Sequence, residues 1–274
     1  MITTTLHPSY GRDALPFVDR SNPDRPITVH TYRPATHQPD DPIVIVQHGM
    51  LRNGDEYRDF WIEAAEKHRV LVAAPTFANE TFPDAENYNN GMVLAQGVAR
   101  PRDHWLYGVP ERVFSALRAG GATSRKKARL FGHSAGGQFA HRMLATGYGD
   151  AFDAVMAANP GWYTLPTLDK NFPEGLGGLG LDRAGVARWL SRPMTIFAGD
   201  QDIDTADPNL PAQPEALAQG ANRFARAGFV HAYARHEAER LGLPFAWKLI
   251  VVPGVGHDGA AMSRAAAGLW FEGG

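Results

Sequence analysis

A short apolar run, Ala128 to Phe131, breaks at Gly132-His133-Ser134-Ala135-Gly136, and the chain then resumes as an amphipathic stretch to Leu144. Phe139 and Met143 in that stretch are four residues apart, one helical turn, and Gly147 stops it. A strand that turns at once into a helix holds a single side chain, here Ser134, at the tip of a sharp turn. Gly132 and Gly136 lack the Cβ that would clash as strand and helix approach. A serine hydroxyl is a weak nucleophile until it is exposed beside a base, and a helix N-terminus offers free N–H groups to a developing oxyanion. Ser134 is therefore read as a nucleophile, against the alternative of a structural glycine turn.

Apolar runs alternate with helical periodicity around this point. Strands are expected at Pro42 to Gln47, Val70 to Ala74, Phe152 to Ala158, Pro193 to Ala198 and Ala246 to Val252, the first a continuous β-branched run suited to a parallel strand buried on both faces. Helices are expected over Arg58–His68, Asp103–Ala119, Pro214–Leu241 and Ala260–Phe271. Pro26 to Tyr32 reads as an edge hairpin strand. The loop from Thr76 to Arg102 is too rich in Asn, Gly and Pro for regular structure and reads as a pocket wall. Tyr163 to Arg192, with one short helix over Asp182–Leu190, reads as a small cap-like insertion (163–192) in a single domain spanning 1–274. The pattern implies an α/β fold with a mostly parallel central sheet and helices on both faces, whose ligands bind beyond the carboxyl ends of the strands.

Composition removes several classes. A formal net charge of -2 provides no field to attract nucleic acid or an anionic membrane. The basic run Arg125-Lys126-Lys127 reads as a solvated connection. The absence of cysteine excludes disulfides, thiolate metal sites and a cysteine nucleophile. The opening MITTTLHPSYGRDALPF has no basic n-region followed by an apolar core, and no run approaches transmembrane length, so a soluble cytoplasmic protein is expected.

The strand ends supply the remaining chemistry. His257 lies on a glycine-rich loop after the last strand, between Gly254, Gly256 and Gly259, free to reach Ser134 and take its proton. Asp202 follows the strand ending at Gly199 and can orient the imidazole; Asp200, Asp204 and Asp207 compete with it. The spacing Asp200-x-Asp202-x-Asp204 opens like a calcium loop, but Thr205 stands where glycine is needed and Pro211 where a bidentate glutamate is needed, so no metal is expected. His48-Gly49-Met50 ends the first parallel strand and marks an oxyanion loop. His48 and His133 read as structural, and Asp103-His104 as a helix cap with a half-buried ring. Trp162 and Tyr163, after the strand end at Asn159-Pro160, are candidates to line a substrate pocket, with plain packing the alternative.

The segments QHGMLRNGDEYRDFW, FGHSAGGQFAHR, NPGWYTLP, GDQDIDT and VPGVGHDG, in this order, resemble those of α/β-hydrolases of the poly(3-hydroxybutyrate) depolymerase group, relatives of feruloyl and acetylxylan esterases. The resemblance covers Pro42 to the C-terminus. It implies an α/β-hydrolase fold, Ser134, Asp202 and His257 as a triad, and the N–H groups of Met50 and Ala135 as the oxyanion hole. The expected activity is a cofactor-free serine carboxylic-ester hydrolase working through an acyl-enzyme. Its expected substrates are small or oligomeric esters, short-chain or 3-hydroxyalkanoate in type, because secreted depolymerases carry a signal peptide, cysteines and a polymer-binding domain that this sequence lacks. An acyltransferase, thioesterase or peptidase would use the same triad. A non-catalytic ligand-binding protein on this scaffold is a rival from another class, disfavoured because all three candidate residues are present.

Overall fold

The computed structural model describes residues 5–273. The first four residues of the segment read for a leader, and the last residue of the expected domain, lie outside them. The strands are β1 (Gly11–Phe17), β2 (Ile27–Arg33), β3 (Ile43–Gln47), β4 (Leu71–Thr76), β5 (Leu94–Ala95), β6 (Val98–Ala99), β7 (Ala128–His133), β8 (Phe152–Ala158), β9 (Met194–Gly199) and β10 (Trp247–Val252). The helices are α1 (Gly54–Asp59), α2 (Ile62–His68), α3 (Val109–Ala119), α4 (Ala135–Ala145), α5 (Arg183–Leu190), α6 (Pro214–Leu217), α7 (Arg223–Leu241) and α8 (Gly259–Gly268).

Eight strands form one sheet in the order β1-β2-β4-β3-β7-β8-β9-β10. The six from β4 to β10 are parallel, while β2 runs antiparallel to both β1 and β4. Alternation along each strand sends side chains to two cores. Ile43 and Ile45 of β3, with Leu71 and Ala73 of β4, join α3, α4, α5 and α7 on one face. Val44, Val46, Val72 and Ala74 join α1, α2 and α8 on the other. Burying each large side chain of this kind contributes about 1.5–3 kcal/mol. That two-sided demand is why β3 is apolar at every position but its last. After β3 the chain moves outward to β4, and after α3 it crosses back to β7 on the far side of β3. The loops after β3 and β7 thus flank a topological switch point, the place where such sheets open a crevice.

The expected parallel strands are present, and the corrections fall at the periphery. Pro26 to Tyr32 corresponds to β2, which is not the edge: β1 lies outside it, paired from Gly11 against Arg33 to Phe17 against Ile27. Its sequence, GRDALPF, alternates exposed and half-buried positions, and its strand character comes from this pairing rather than from its composition. The helix expected over Arg58–His68 begins earlier and breaks into α1 and α2 at Phe60–Trp61, where Trp61 is fully buried against Phe131 with ring centroids 5.3 Å apart. Two 3-10 turns, Arg102–His104 and Leu106–Gly108, occupy the start of the expected Asp103–Ala119 helix, and α3 begins with Pro110 in its first turn. The expected Pro214–Leu241 helix is two helices. Gly220 adopts φ +145° between them, and the Asn222 side chain accepts from the Ala225 N–H to start α7. The Thr76–Arg102 loop carries the two-residue hairpin β5–β6. The closing helix ends at Gly268 and continues as a wider π-type turn over Leu269–Gly273. Among the described residues no helix is long and apolar enough to cross a membrane.

Candidate active site

Ser134 joins β7 to α4 at φ 58° and ψ −118°, a left-handed conformation that a residue with a side chain adopts only under constraint. The turn is held on both sides. The Ser134 N–H donates to Ala158 O (2.9 Å), and Ser134 O accepts from the Gln138 N–H (3.0 Å). A Cβ on Gly132 would stand 2.1 Å from Gly136 O, and one on Gly136 would stand 2.2 Å from Gln47 O. Glycine at these two positions lets α4 start directly against β3 and β7, which pushes the Ser134 side chain out above the sheet.

The structure brings the three separately read strand ends together. The His257 imidazole donates from Nδ1 to Asp202 Oδ2 at 2.7 Å, and Ser134 Oγ donates to its Nε2 at 3.0 Å. The tautomer follows from the carboxylate, which can only accept. Asp202 is buried, and its other oxygen lies 3.5 Å from Nη1 of the equally buried Arg223, which also pairs with Asp207 at 2.7 Å. The rival carboxylates are used elsewhere: Asp200 accepts from the Gly254 N–H (2.7 Å) and Asp204 from the Ala206 N–H (2.8 Å). The three carboxylates of the calcium-like spacing therefore diverge, and the described residues contain no cluster of three or more His, Cys, Asp or Glu side chains fit to hold a metal. Asn159 adopts φ 44° at the end of β8; its amide donates to Gly256 O (3.0 Å) and accepts from the Gly199 N–H (2.9 Å), tying the His257 loop to β9. Such an array can move the serine proton to the imidazole while the carboxylate stabilises the resulting charge.

The N–H groups of Met50 and Ala135 donate to no acceptor among the described residues, and both residues border the space in front of Ser134. His48 anchors the Met50 loop. Its Nε2 accepts from the Phe77 N–H (3.0 Å) and its carbonyl accepts from Tyr88 Oη (2.7 Å). Complete burial pushes the His48 imidazole down to about 3, so it stays neutral. His133 is also buried and held well below the ordinary histidine range, mainly by that burial; its Nδ1 meets Tyr57 Oη at 2.7 Å and its ring lies 4.7 Å from that of His257. Both histidines are buried and hydrogen-bonded beneath the site. Arg102–His104 is a 3-10 turn in which Asp103 makes no side-chain cap.

Beside Ser134 opens a cavity of about 780 Å³, walled by Ala85, Glu86, Asn89 and Asn90 of the long loop and by Asn171 to Glu174 of the insertion. Trp162 lines it. Tyr163 does not: it is buried beneath, its backbone N–H and carbonyl paired with Gln219 and its ring 5.2 Å from His141. Two residues at the cavity escaped the sequence reading, Gln138 in its wall and Arg142 buried behind it. Gln138 accepts from the Asn89 amide in the cavity wall. The spacing of four from Ser134 places Gln138 on the same face of α4, a signal that was available. Arg142, one turn further on, is wholly buried, donates to Asn90 Oδ1 (2.7 Å) and stacks 5.1 Å from the Trp162 ring. Burial lowers its guanidinium to about 10, which leaves it charged at neutral pH.

No protein-family model matches the chain, and neither does any curated protein. Among solved structures it is similar to LpqC, a poly(3-hydroxybutyrate) depolymerase from Bordetella parapertussis, with 52% sequence identity over 97% of this chain and 91% of that one, at a TM-score of 0.94. It is also similar to poly(aspartic acid) hydrolase-1 from Sphingomonas sp. KT-1, with 35% identity over 96% of this chain and 99% of that one, at a TM-score of 0.91. An S-formylglutathione hydrolase from Agrobacterium tumefaciens, 17% identical over 95% of this chain and 94% of that one, with a TM-score of 0.56, shares the fold.

Proposed function

The chain belongs to the poly(3-hydroxybutyrate) depolymerase-like α/β-hydrolases, and from that premise we propose that it is a serine carboxylic-ester hydrolase of this type with Ser134, His257 and Asp202 as its triad. The observation that carries this reading is the continuous hydrogen-bonded line from Asp202 through His257 to Ser134. Ser134 Oγ attacks the ester carbonyl as His257 takes its proton, and the Met50 and Ala135 N–H groups receive the oxyanion. The leaving alcohol departs with the proton from His257, and water activated by the same imidazole releases the acid. The working unit is one domain, 1–274, in which insertion 163–192 roofs the cavity. Substrates are soluble short-chain or 3-hydroxyalkanoate-type esters; neither the mechanism nor the site calls for a cofactor, nucleic acid or membrane.

A second reading, cleavage of an amide, is favoured by the 35% identity to a poly(aspartic acid) hydrolase. The cavity wall weighs against an anionic chain of that kind. It carries Glu86, Glu174 and Glu215 and, among its described residues, no lysine or arginine, so a row of substrate carboxylates would face like charge. A matched comparison of 3-hydroxybutyrate and aspartate oligomers, with wild type and Ser134→Ala, tests both readings. The ester oligomers are expected to be cut faster, and Ser134→Ala is expected to lower kcat by about 10⁴-fold or more while remaining folded. A fluorophosphonate should label Ser134 alone. Faster cleavage of the aspartate oligomer would replace the ester reading, and activity of Ser134→Ala within tenfold of wild type would remove the serine.

A further inference from the structure

Ser134 stands on a ridge between two cavities, not at the mouth of one. On one side lies the space of about 780 Å³, and on the other a smaller notch of about 220 Å³. Met50, Ser134 and Asn209 border both. The other walls differ in kind. His257, with Tyr57, Phe60 and Leu51, borders only the notch, while Ala135, Gln138 and Trp162 border only the large cavity.

We infer that these cavities are the two sides of one ester site: the acyl group occupies the large cavity and the departing alcohol occupies the notch. The inference rests on the reading of Ser134 as nucleophile and His257 as its base, and stereochemistry does the rest. In the tetrahedral intermediate the former carbonyl carbon carries four groups: Ser134 Oγ, the oxyanion, the acyl chain and the alkoxy oxygen. The proton that left Ser134 sits on His257 Nε2, and collapse breaks the bond from carbon to alkoxy oxygen as that proton moves to the oxygen, releasing a neutral alcohol. The alkoxy oxygen must therefore face His257, and the wall containing His257 is the notch. With the oxyanion directed at the Met50 and Ala135 N–H groups, the large cavity remains for the acyl chain.

The walls then assign substrate chemistry. The acyl side has a volume typical of a specific ligand pocket, roughly 300–1,000 Å³, whereas the notch falls below that range. Selectivity belongs to the acyl side. Its wall alternates apolar Trp162 and Phe172 with the carboxamides of Asn89 and Gln138, and the buried Oδ1 of Asn89 accepts no hydrogen bond among the described residues. The Asn89 Oδ1 needs a donor, which the free hydroxyl of a 3-hydroxyacyl group supplies and a plain hydrocarbon of equal size does not. In a hydroxyacyl oligomer the hydroxyl-terminal part becomes the acyl-enzyme and the carboxyl-terminal part leaves through the notch.

Acyl-enzyme kinetics separate the two sides, because deacylation depends on the acyl group and not on the alcohol already lost. The test uses Phe172→Ala, which opens the acyl cavity, and Phe60→Ala, which opens the notch, each first titrated with a fluorophosphonate. Phe172→Ala is expected to change the deacylation rate and the selectivity between 3-hydroxybutyryl and butyryl esters severalfold, equally for every leaving alcohol. Phe60→Ala is expected to change only the kcat/KM ratio between methyl and benzyl esters of one acid. The exposed positions Asn171 and Leu51 provide filling variants, Asn171→Trp and Leu51→Trp, that should move the same two ratios without disturbing the core. Crossed effects, or no movement of either ratio in variants that still titrate at Ser134, would overturn the assignment and leave the nucleophile in place. Failure of the wild type to titrate would overturn the serine reading itself.

Discussion

Asp200, Asp202 and Asp204 stand two positions apart, and what separates them is what each carboxylate reaches. Only Asp202 meets His257 Nδ1, and its burial with Arg223 makes its charge part of the interior. Asp202→Asn cannot act as the same pure acceptor and is expected to lower kcat by about 10³–10⁴-fold. Asp204→Asn, which alters one exposed loop contact, should stay within about twofold of wild type. Asp200→Asn should fall between them, because Asp200 fastens Gly254 on the His257 loop without touching the ring. Steady-state kinetics on folded variants check the order, and equal losses at all three positions would undo the assignment. Ser134, His257 and Asp202 were legible in the sequence because each follows a strand end and is of a residue type that this chemistry demands. Arg223, Asn159 and Gln138 carry no such mark. Arg223 comes from the start of α7, twenty-one residues beyond Asp202, and reaches it only because α7 packs against β9 and β10. Tyr163 shows the opposite error: the sequence placed an aromatic near the pocket, but the backbone turn buried it beneath the wall.

The element that makes this arrangement possible is the junction of β7 and α4. Its glycines allow backbone to meet backbone, and at Gly136 the obstacle to a side chain is the carbonyl of Gln47, which no rotamer change can move. Gly136→Ala should therefore push α4 away from β3, at a cost of about 1–3 kcal/mol or more. The Ala135 N–H begins that helix, so kcat should drop along with the urea midpoint; a variant with wild-type stability and activity would contradict the packing argument. Elements of this central kind were readable because burial on both faces forces continuous apolar composition, as in β3 and the buried second half of β8, 155–158. At the periphery the same logic weakens. β1 is specified by pairing with β2, and the breaks between α1 and α2 and between α6 and α7 follow from burying Trp61 and from the chain direction at Gly220. These are tertiary causes that helical periodicity does not encode.

Across the whole molecule, three neutral histidines sit under different strand ends. His48 supports the Met50 loop, His133 lies behind Ser134, and His141 accepts from the Thr164 N–H beneath the insertion. All three are buried, and burial lowers each below the ordinary histidine value, His48 to about 3. The unfolded chain binds protons on them near pH 6.5 while the folded chain does not, so their contribution to stability is fully present above that pH and falls as acid is added. For His48 the loss continues down to about pH 3, where the folded protein also takes up the proton. Between pH 7.5 and 5.5 the loss at His48 should be about 1.4 kcal/mol, and His133 and His141 act in the same direction. Urea denaturation at the two pH values should therefore show a lower midpoint at pH 5.5, with net proton uptake on unfolding there. Equal midpoints, with no proton uptake, would mean that these rings are already charged or water-exposed in the folded protein, and the packing beneath the site would have to be redrawn.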